Sequence, residues 1–197
     1  MHEITETHLI CNKYIKKWTG VPRSGTNLLF HMPQGLGIKT VKELYEETHA
    51  LNHTAMRLKG DKTVNAALDN AIARESQLVR KRSSVVRAEK THTMALNVLY
   101  PDSEAPSFPN DTQHKENSKV LGAVKSKVKS LISASTLQAN ISHVDSLFKQ
   151  GEFLKLAQKE EKDPIWKGFI WSMKSGTAKF LLNSTIHTLP TMNNLKL

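Results

Sequence analysis

Residues 119–132 read KVLGAVKSKVKSLI, and their apolar positions recur at intervals of three and four. This spacing places the apolar side chains on one face of an α-helix and turns most of the lysines away from it. The apolar positions are Val120, Leu121, Val124, Val128, Leu131 and Ile132. The stretch therefore predicts an amphipathic helix with a basic, solvent-exposed back.

Helical patterns also precede this stretch, so the chain is predicted to be mainly α. Thr40 followed by Glu43 has the pattern of a capping box and predicts the start of a helix, which Gly60 is expected to end. Asp61 or Thr63 can cap the helix that follows. Near the front of the chain, residues 28–30 form a short apolar run that predicts either a strand or a buried turn.

The C-terminal part has its own helix signals. Asp163 as N-cap and Pro164 at the first helical position predict a helix that Gly176 ends. Trp171 falls off the apolar face of this helix, close to Lys167. Residues 178–187 predict one more helix. The buried face of the Asp163 helix is expected to hold Ile165, Trp166, Phe169, Ile170 and Met173.

One segment between the helices has a different composition. Residues 101–117 contain three prolines among mostly polar residues, which is typical of a flexible linker or a long exposed loop. The chain is therefore predicted to be an irregular helical bundle in two parts, residues 1–100 and 118–197, joined by this Pro-rich linker.

Composition limits the function classes. A chain of 197 residues with 39% hydrophobic content can bury one moderate core or two small ones. Cys11 is the single cysteine, and the sequence opens with no secretory leader, so we expect an intracellular protein of the nucleus or cytoplasm. No apolar run reaches the ~20 residues that span a bilayer, so no membrane partner is expected. The formal charge of +10 favours nucleic acid.

Two groups of residues carry a family resemblance. The first is residues 18–27, which read WTGVPRSGTN. The second is the tail, with Trp166, Trp171, residues 180–183 (FLLN) and residues 188–191 (TLPT). In this order, around a Gly-Leu-Gly loop at residues 35–37 and a long basic region, they resemble the stretch that follows the palm of a reverse transcriptase in non-LTR-like retroelements. The resemblance covers nearly the whole chain.

The resemblance implies a position in a longer protein rather than an activity. It identifies residues 1–100 as thumb-like and residues 118–197 as the connector before a zinc knuckle. The sequence contains no Asp-Asp pair, which a polymerase palm needs for its two metal ions. It also lacks the cysteines of a knuckle. We therefore expect no enzymatic activity and no cofactor from this chain by itself, with the missing palm domain as one candidate partner.

Basic residues are the main candidates for a functional site. One set flanks the end of the first helix and the turn after it, where lysines and backbone amides can meet a phosphate. A second set is the densest cluster of positive charge, which is also typical of a nuclear-import signal. The predicted nucleic-acid-binding residues are Lys13, Lys16, Lys17, Arg23, Arg80, Lys81, Arg82 and Arg87, with Trp171 as a base-stacking side chain.

Other groups of polar residues do not have the pattern of a metal or catalytic site. His49 and His53 are four residues apart, but Ala50 stands where a metalloprotease has glutamate, and no Cys-x-x-Cys completes a zinc site. Ser142, His143 and Asp145 are close in sequence, whereas a hydrolytic triad converges from separate elements. No metal site is predicted.

Three functional hypotheses remain open from the sequence. The leading one is a non-catalytic fragment of a retroelement reverse-transcriptase protein that binds RNA or an RNA–DNA duplex through backbone phosphates. The second is a helical protein–protein interaction module, which the sparse apolar face of residues 64–79 favours. The third is a decayed open reading frame without a selected function.

Overall fold

The computed structural model of the protein describes residues 2–77, 83–101, 114–160 and 165–187. These ranges are mainly α-helical and contain no β-strand, which confirms the predicted fold class. The α-helices within them are α1 (His2–Thr19), α2 (Leu28–His31), α3 (Val41–Leu58), α4 (Lys62–Ser76), α5 (Ser84–Leu99), α6 (His114–Ser146), α7 (Glu152–Lys159) and α8 (Ser175–Thr185). Two 3₁₀ segments, Ile165–Gly168 and Ile170–Ser172, lie between α7 and α8. None of the helices in the described ranges combines the length and apolar character needed to cross a membrane.

The chain forms two compact units. The terminal unit consists of Met1–Lys42 and Thr136–Leu197, and the central unit consists of Glu43–Ser135. These limits differ from the predicted parts at 1–100 and 118–197, because the terminal unit combines both ends of the chain. Most of the predicted linker lies outside the described residues, and α6 already begins at His114. The functional assignment of the two predicted parts stays a prediction.

The terminal unit is organised around α2, a single helical turn. Leu29 and Phe30 belong to a cluster with residues of α8, whereas Leu28 and the adjacent Met32 belong to a second cluster with α6 and α7. The sequence left open whether residues 28–30 form a strand or a buried turn, and the structure shows a buried helical turn. Buried residues of the two clusters are Val21, Leu29, Phe30, Ile170, Leu182 and Ile186 in the first, and Leu28, Met32, Val144 and Leu154 in the second.

The loop after α2 folds back onto it. The backbone amide of Leu36 donates to the carbonyl of Leu29 at 2.9 Å, and that of Ile38 donates to the carbonyl of Phe30 at 2.8 Å. Gly37 has a positive φ of 64°, which glycine adopts without steric cost. The predicted Gly35-x-Gly37 loop is thus a tight turn that closes over the buried helix.

The central unit packs α3, α5 and part of α6 around small side chains. Ala50 of α3 and Ala88 and Ala95 of α5 are buried, and such small residues allow helices to approach closely. Opposite them, α6 contributes the apolar face predicted from residues 119–132. From this face Val124, Val128 and Ile132 are buried, and Val120, Leu121 and Leu131 pack against the same cluster.

The C-terminal end of α3 and the start of α4 follow the sequence signals. Gly60, just after α3, has a φ of 68°, as expected for a glycine that terminates a helix. The Asp61 carboxylate accepts hydrogen bonds from the amides of Thr63 and Val64, so Asp61 is the N-cap of α4. Both predictions are confirmed.

The prediction of an α-helix after Asp163 is wrong. Residues 165–172 form two short 3₁₀ segments, and of the five residues expected on the buried face, only Ile170 is buried. Ile165 is 89% exposed and Phe169 is 46% exposed. Gly176 does not end a helix but lies in the first turn of α8. A 3₁₀ geometry eclipses positions i and i+3, so an apolar face inferred from a period of 3.6 residues is misplaced.

Candidate nucleic-acid interface

The C-terminal half of α1 presents two predicted lysines to solvent. Lys13 and Lys17 are exposed, and their spacing of four residues places them on one helix face. Arg23 is exposed on the turn that follows. In the described part of the chain, none of the three forms an ion pair. Their charges are therefore accessible to an anionic partner.

Lys16 has a different role from its neighbours. Its Nζ donates hydrogen bonds to the carbonyl oxygens of Arg23 at 2.8 Å and Gly25 at 2.6 Å. Partial burial lowers the pKa of Lys16 below its ordinary value. The ammonium group thus holds the turn at residues 23–25 against α1, and it positions the backbone that carries Arg23.

An apolar groove of about 770 Å³ lies beside this basic end of α1. It runs between α1, the loop after α2, the second 3₁₀ segment and α8. Apolar side chains dominate the lining, and Lys179 is the single charged residue in the part of it that the structure describes. The lining residues are Cys11, Tyr14, Ile15, Trp18, Thr19, Leu36, Ile38, Ile170, Trp171, Ser175, Ala178, Lys179 and Leu182.

Two tryptophans of this groove are open to solvent. Trp18 at the end of α1 is 74% exposed, and Trp171 in the second 3₁₀ segment is 73% exposed. Trp166 differs from both, because it is partly buried and stacks on Phe153 with ring centroids 6.4 Å apart. The structure therefore separates a packing tryptophan from two tryptophans whose ring surfaces can meet a ligand.

Backbone conformation brings Lys179 to the groove. Gly20 ends α1 with a φ of 69°, and a Cβ atom there would lie 2.7 Å from the Lys179 Cδ. The aliphatic stem of Lys179 thus crosses over Gly20, where only a glycine leaves room. Asn183 donates from its side chain to the Gly20 carbonyl at 3.1 Å and fixes α8 at the same point.

The remaining predicted site residues lie elsewhere. Arg87 belongs to the central unit, where its Nη1 forms an ion pair with Glu46 at 2.7 Å. Arg80, Lys81 and Arg82 lie outside the described residues. The structure therefore brings together Lys13, Lys17, Arg23 and Trp171 on the terminal unit, whereas Arg87 belongs to the central unit.

The central unit contains a network of charged and imidazole groups. Glu89 accepts hydrogen bonds from His53 and from the Arg57 Nε, and Arg57 also pairs with Asp69. Burial alone would raise the pKa of Glu89, but these hydrogen bonds and the Arg57 charge lower it overall. Burial also lowers the pKa of His92, beside this network, to about 4. In the described ranges, no cluster of three or more His, Cys, Asp or Glu side chains could hold a metal ion.

Sequence reasoning missed Trp18 and Lys179 as parts of the groove. Trp18 falls on the apolar stripe of α1 with Ile4, Cys11 and Ile15, which suggests packing rather than exposure. The one sequence signal for its exposure is its position in the last turn of α1, just before Gly20, where the helix ends. Lys179 carries no such signal, because its place depends on how α8 crosses Gly20.

Comparison with known proteins gives no family for this chain. The sequence matches no protein-family model, and neither the curated proteins nor the solved structures yield a significant match.

Proposed function

We propose that this chain is a non-catalytic nucleic-acid-binding protein that contacts RNA or an RNA–DNA duplex through backbone phosphates. The observation that carries the proposal is a set of exposed basic side chains around the end of α1, Lys13, Lys17 and Arg23, none of which forms an ion pair with another described residue. The positions of Lys13 and Lys17 follow from a regular helix, and that of Arg23 from a turn held by Lys16.

The charge distribution supports the terminal unit as the binding unit. Its sequence contains 14 Lys and Arg residues against 7 Asp and Glu residues, whereas the central unit contains 14 against 11. Neutralising phosphates releases condensed counterions from nucleic acid, so a surplus of positive charge contributes affinity whatever the nucleotide sequence. The resemblance of the chain to the region after a reverse-transcriptase palm points to the same partner.

The test is a titration across salt concentrations. Each phosphate contact contributes roughly 0.7 to 0.9 units to the slope of log K against log salt. The triple variant Lys13→Ala, Lys17→Ala, Arg23→Ala is expected to flatten this slope by about two units for every sequence tested. Fluorescence anisotropy with a labelled RNA and a labelled RNA–DNA duplex measures both slopes.

The matched control removes three exposed basic residues of the central unit, Lys59, Lys62 and Arg74. It changes the net charge by the same amount, so any effect of net charge alone appears equally in both variants. A slope that falls equally in the two variants, or wild-type binding that does not depend on salt, would rule out the proposed interface.

The retroelement origin is a separate part of the proposal, and the encoding genomic sequence tests it. If the chain comes from a retroelement, we expect the upstream sequence to encode a palm with a Tyr-x-Asp-Asp turn and the downstream sequence to encode a Cys/His knuckle. Unrelated flanking genes would contradict it without affecting the binding experiment.

One observation favours the second candidate, a helical protein-interaction module. Helix α4 contains no buried residue, and its apolar positions Val64, Leu68 and Ile72 are all partly exposed. A helix is stabilised mainly by packing of its apolar face, so such a helix suits a partner protein. If the chain is such a module, its binding energy comes mainly from burial of apolar surface, which salt does not screen.

A further inference from the structure

We propose that the groove between Trp18 and Trp171 is a binding site for unpaired nucleobases, so that the chain prefers single-stranded nucleic acid to a duplex. The inference rests on the proposed function and selects among the nucleic acids that the function leaves open. It adds a second type of contact, stacking, to the phosphate contacts of α1.

The first argument is the exposure of the two rings. A tryptophan side chain is large and mostly apolar, and it is highly buried on average in folded proteins. Here Trp18 and Trp171 are 74% and 73% exposed, come from separate elements and line one groove. Base stacking on an aromatic ring tolerates any sequence, because every base has an aromatic face.

The second argument is the charge around the groove. Among the described residues, the lining contains Lys179 and no acidic side chain, and the exposed Lys13 and Lys17 precede Trp18 on the same helix. Basic side chains that follow the backbone, combined with aromatic side chains that receive the bases, are the combination by which proteins bind single strands. The charge complementarity therefore favours a polyanion with exposed aromatic groups over an apolar peptide.

The third argument concerns which bases can enter. In a duplex the base faces are stacked on one another and inaccessible, whereas single-stranded bases can be splayed onto aromatic side chains. The groove volume of about 770 Å³ is within the ~300–1,000 Å³ of typical ligand sites. A single-stranded segment can thus use both the groove and the lysines, while a duplex can use the lysines alone.

The experiment compares a single-stranded RNA of about 12 nucleotides with an RNA–DNA duplex of the same sequence, within the ~4–16 nucleotides of known single-strand sites. Tryptophan fluorescence and anisotropy are recorded together. We expect RNA to quench the fluorescence and to bind at least about five-fold more tightly than the duplex. Trp18→Ala and Trp171→Ala are each expected to weaken RNA binding by about five-fold or more and to leave duplex binding unchanged.

Both tryptophans are highly exposed, so their replacement is expected to leave the fold intact, and circular dichroism verifies this. Phe148→Ala is the matched control, because Phe148 is an aromatic residue of the same unit that is 83% exposed and does not line the groove. Trp18→Phe and Trp171→Phe keep an aromatic face, so these variants are expected to retain most of the wild-type affinity for RNA.

The outcomes separate the inference from the function on which it rests. Salt-dependent binding that is equal for RNA and duplex, or unaffected by the tryptophan variants, would overturn the stacking site and leave the phosphate interface standing. Absence of binding to both probes at low salt would overturn both. Self-association of the wild type that Trp18→Ala and Trp171→Ala abolish, measured by sedimentation without nucleic acid, would assign the groove to a second copy of the chain instead.

Discussion

Gly35 lies directly against the backbone carbonyl of Leu29: a Cβ atom at position 35 would be 1.9 Å from that oxygen. The close approach allows the amide of Leu36 to reach the same carbonyl at 2.9 Å. The backbone of Leu29 belongs to the buried turn α2, so it cannot move without disturbing the clusters on both sides.

Gly35→Ala is therefore expected to lower the free energy of unfolding by roughly 1–3 kcal/mol, the typical cost of overpacking a buried site. Urea denaturation followed by circular dichroism measures the change. Gly176→Ala is the control, because Gly176 is in α8 of the same unit and has no atom within 4 Å of an added Cβ. Alanine is favoured over glycine in helices, so this variant is expected to be neutral or slightly stabilised. Equal midpoints for the two variants would contradict the close approach at Gly35.

A second prediction separates the two roles of the lysines on α1. Lys16→Ala removes two hydrogen bonds to the turn at residues 23–25, and it is expected to lower the free energy of unfolding by roughly 1 kcal/mol or more. Because the Lys16 ammonium already has two carbonyl acceptors, the salt slope of RNA binding should fall less than it does in Lys13→Ala. Lys13→Ala should do the opposite, with stability retained and the slope reduced by about 0.7 units or more. The prediction is wrong if Lys16→Ala flattens the slope as much as Lys13→Ala.

The third prediction is acid sensitivity of the central unit. The pKa of His92 falls from its ordinary value of 6.5 in the unfolded chain to about 4 in the folded chain. Between these values the unfolded chain binds a proton that the folded chain does not, so stability decreases as pH falls from about 6.5 to about 4. Glu89, with its lowered pKa, adds a further loss once the pH falls below the ordinary value of a glutamate.

Urea denaturation at several pH values tests this behaviour, with His92→Gln as the comparison because glutamine does not titrate. The slope of stability against pH should be shallower in the variant by up to about 1.4 kcal/mol per pH unit. Parallel slopes for the two proteins would mean that His92 accepts a proton in the folded state without cost.

The fourth prediction concerns the basic cluster at residues 80–82, which lies outside the described residues. If its side chains contact phosphates, replacing Arg80, Lys81 and Arg82 with alanine lowers affinity for all sequences alike and flattens the salt slope by about two to three units. The same salt titration used for α1 measures the effect. An unchanged slope would restrict the interface to the terminal unit.

Local signals predicted several elements correctly, because they act within a few residues. Asp61 caps α4 through the two amides that follow it, and Gly60 adopts the left-handed conformation that ends α3. The apolar face of residues 119–132 is buried, since a long regular helix preserves its period. Each of these features is determined by residues close together in the sequence, so it can be predicted without knowing the tertiary structure.

The errors have a different physical origin. The period of 3.6 residues misplaced the apolar face after Asp163, since the chain there forms 3₁₀ segments and leaves Ile165 exposed. The exposure of Trp18 depends on the path of α8, which leaves a groove at the end of α1. Of the candidate site, the sequence predicted Lys13, Lys17, Arg23 and Trp171 as members, but it could not predict the groove that joins Trp171 to Trp18.

The terminal unit is built from two segments that are far apart in the sequence, and this affects the order of folding during synthesis. Residues 1–42 leave the ribosome before their packing partners in α6, α7 and α8, which are translated only after the central unit. Translation proceeds at ~5–20 residues per second, so Leu28, Leu29 and Phe30 stay without their packing partners for several seconds. The central unit is contiguous and can fold in that interval. We expect the nascent chain to need chaperone protection mainly around Leu28, Leu29 and Phe30.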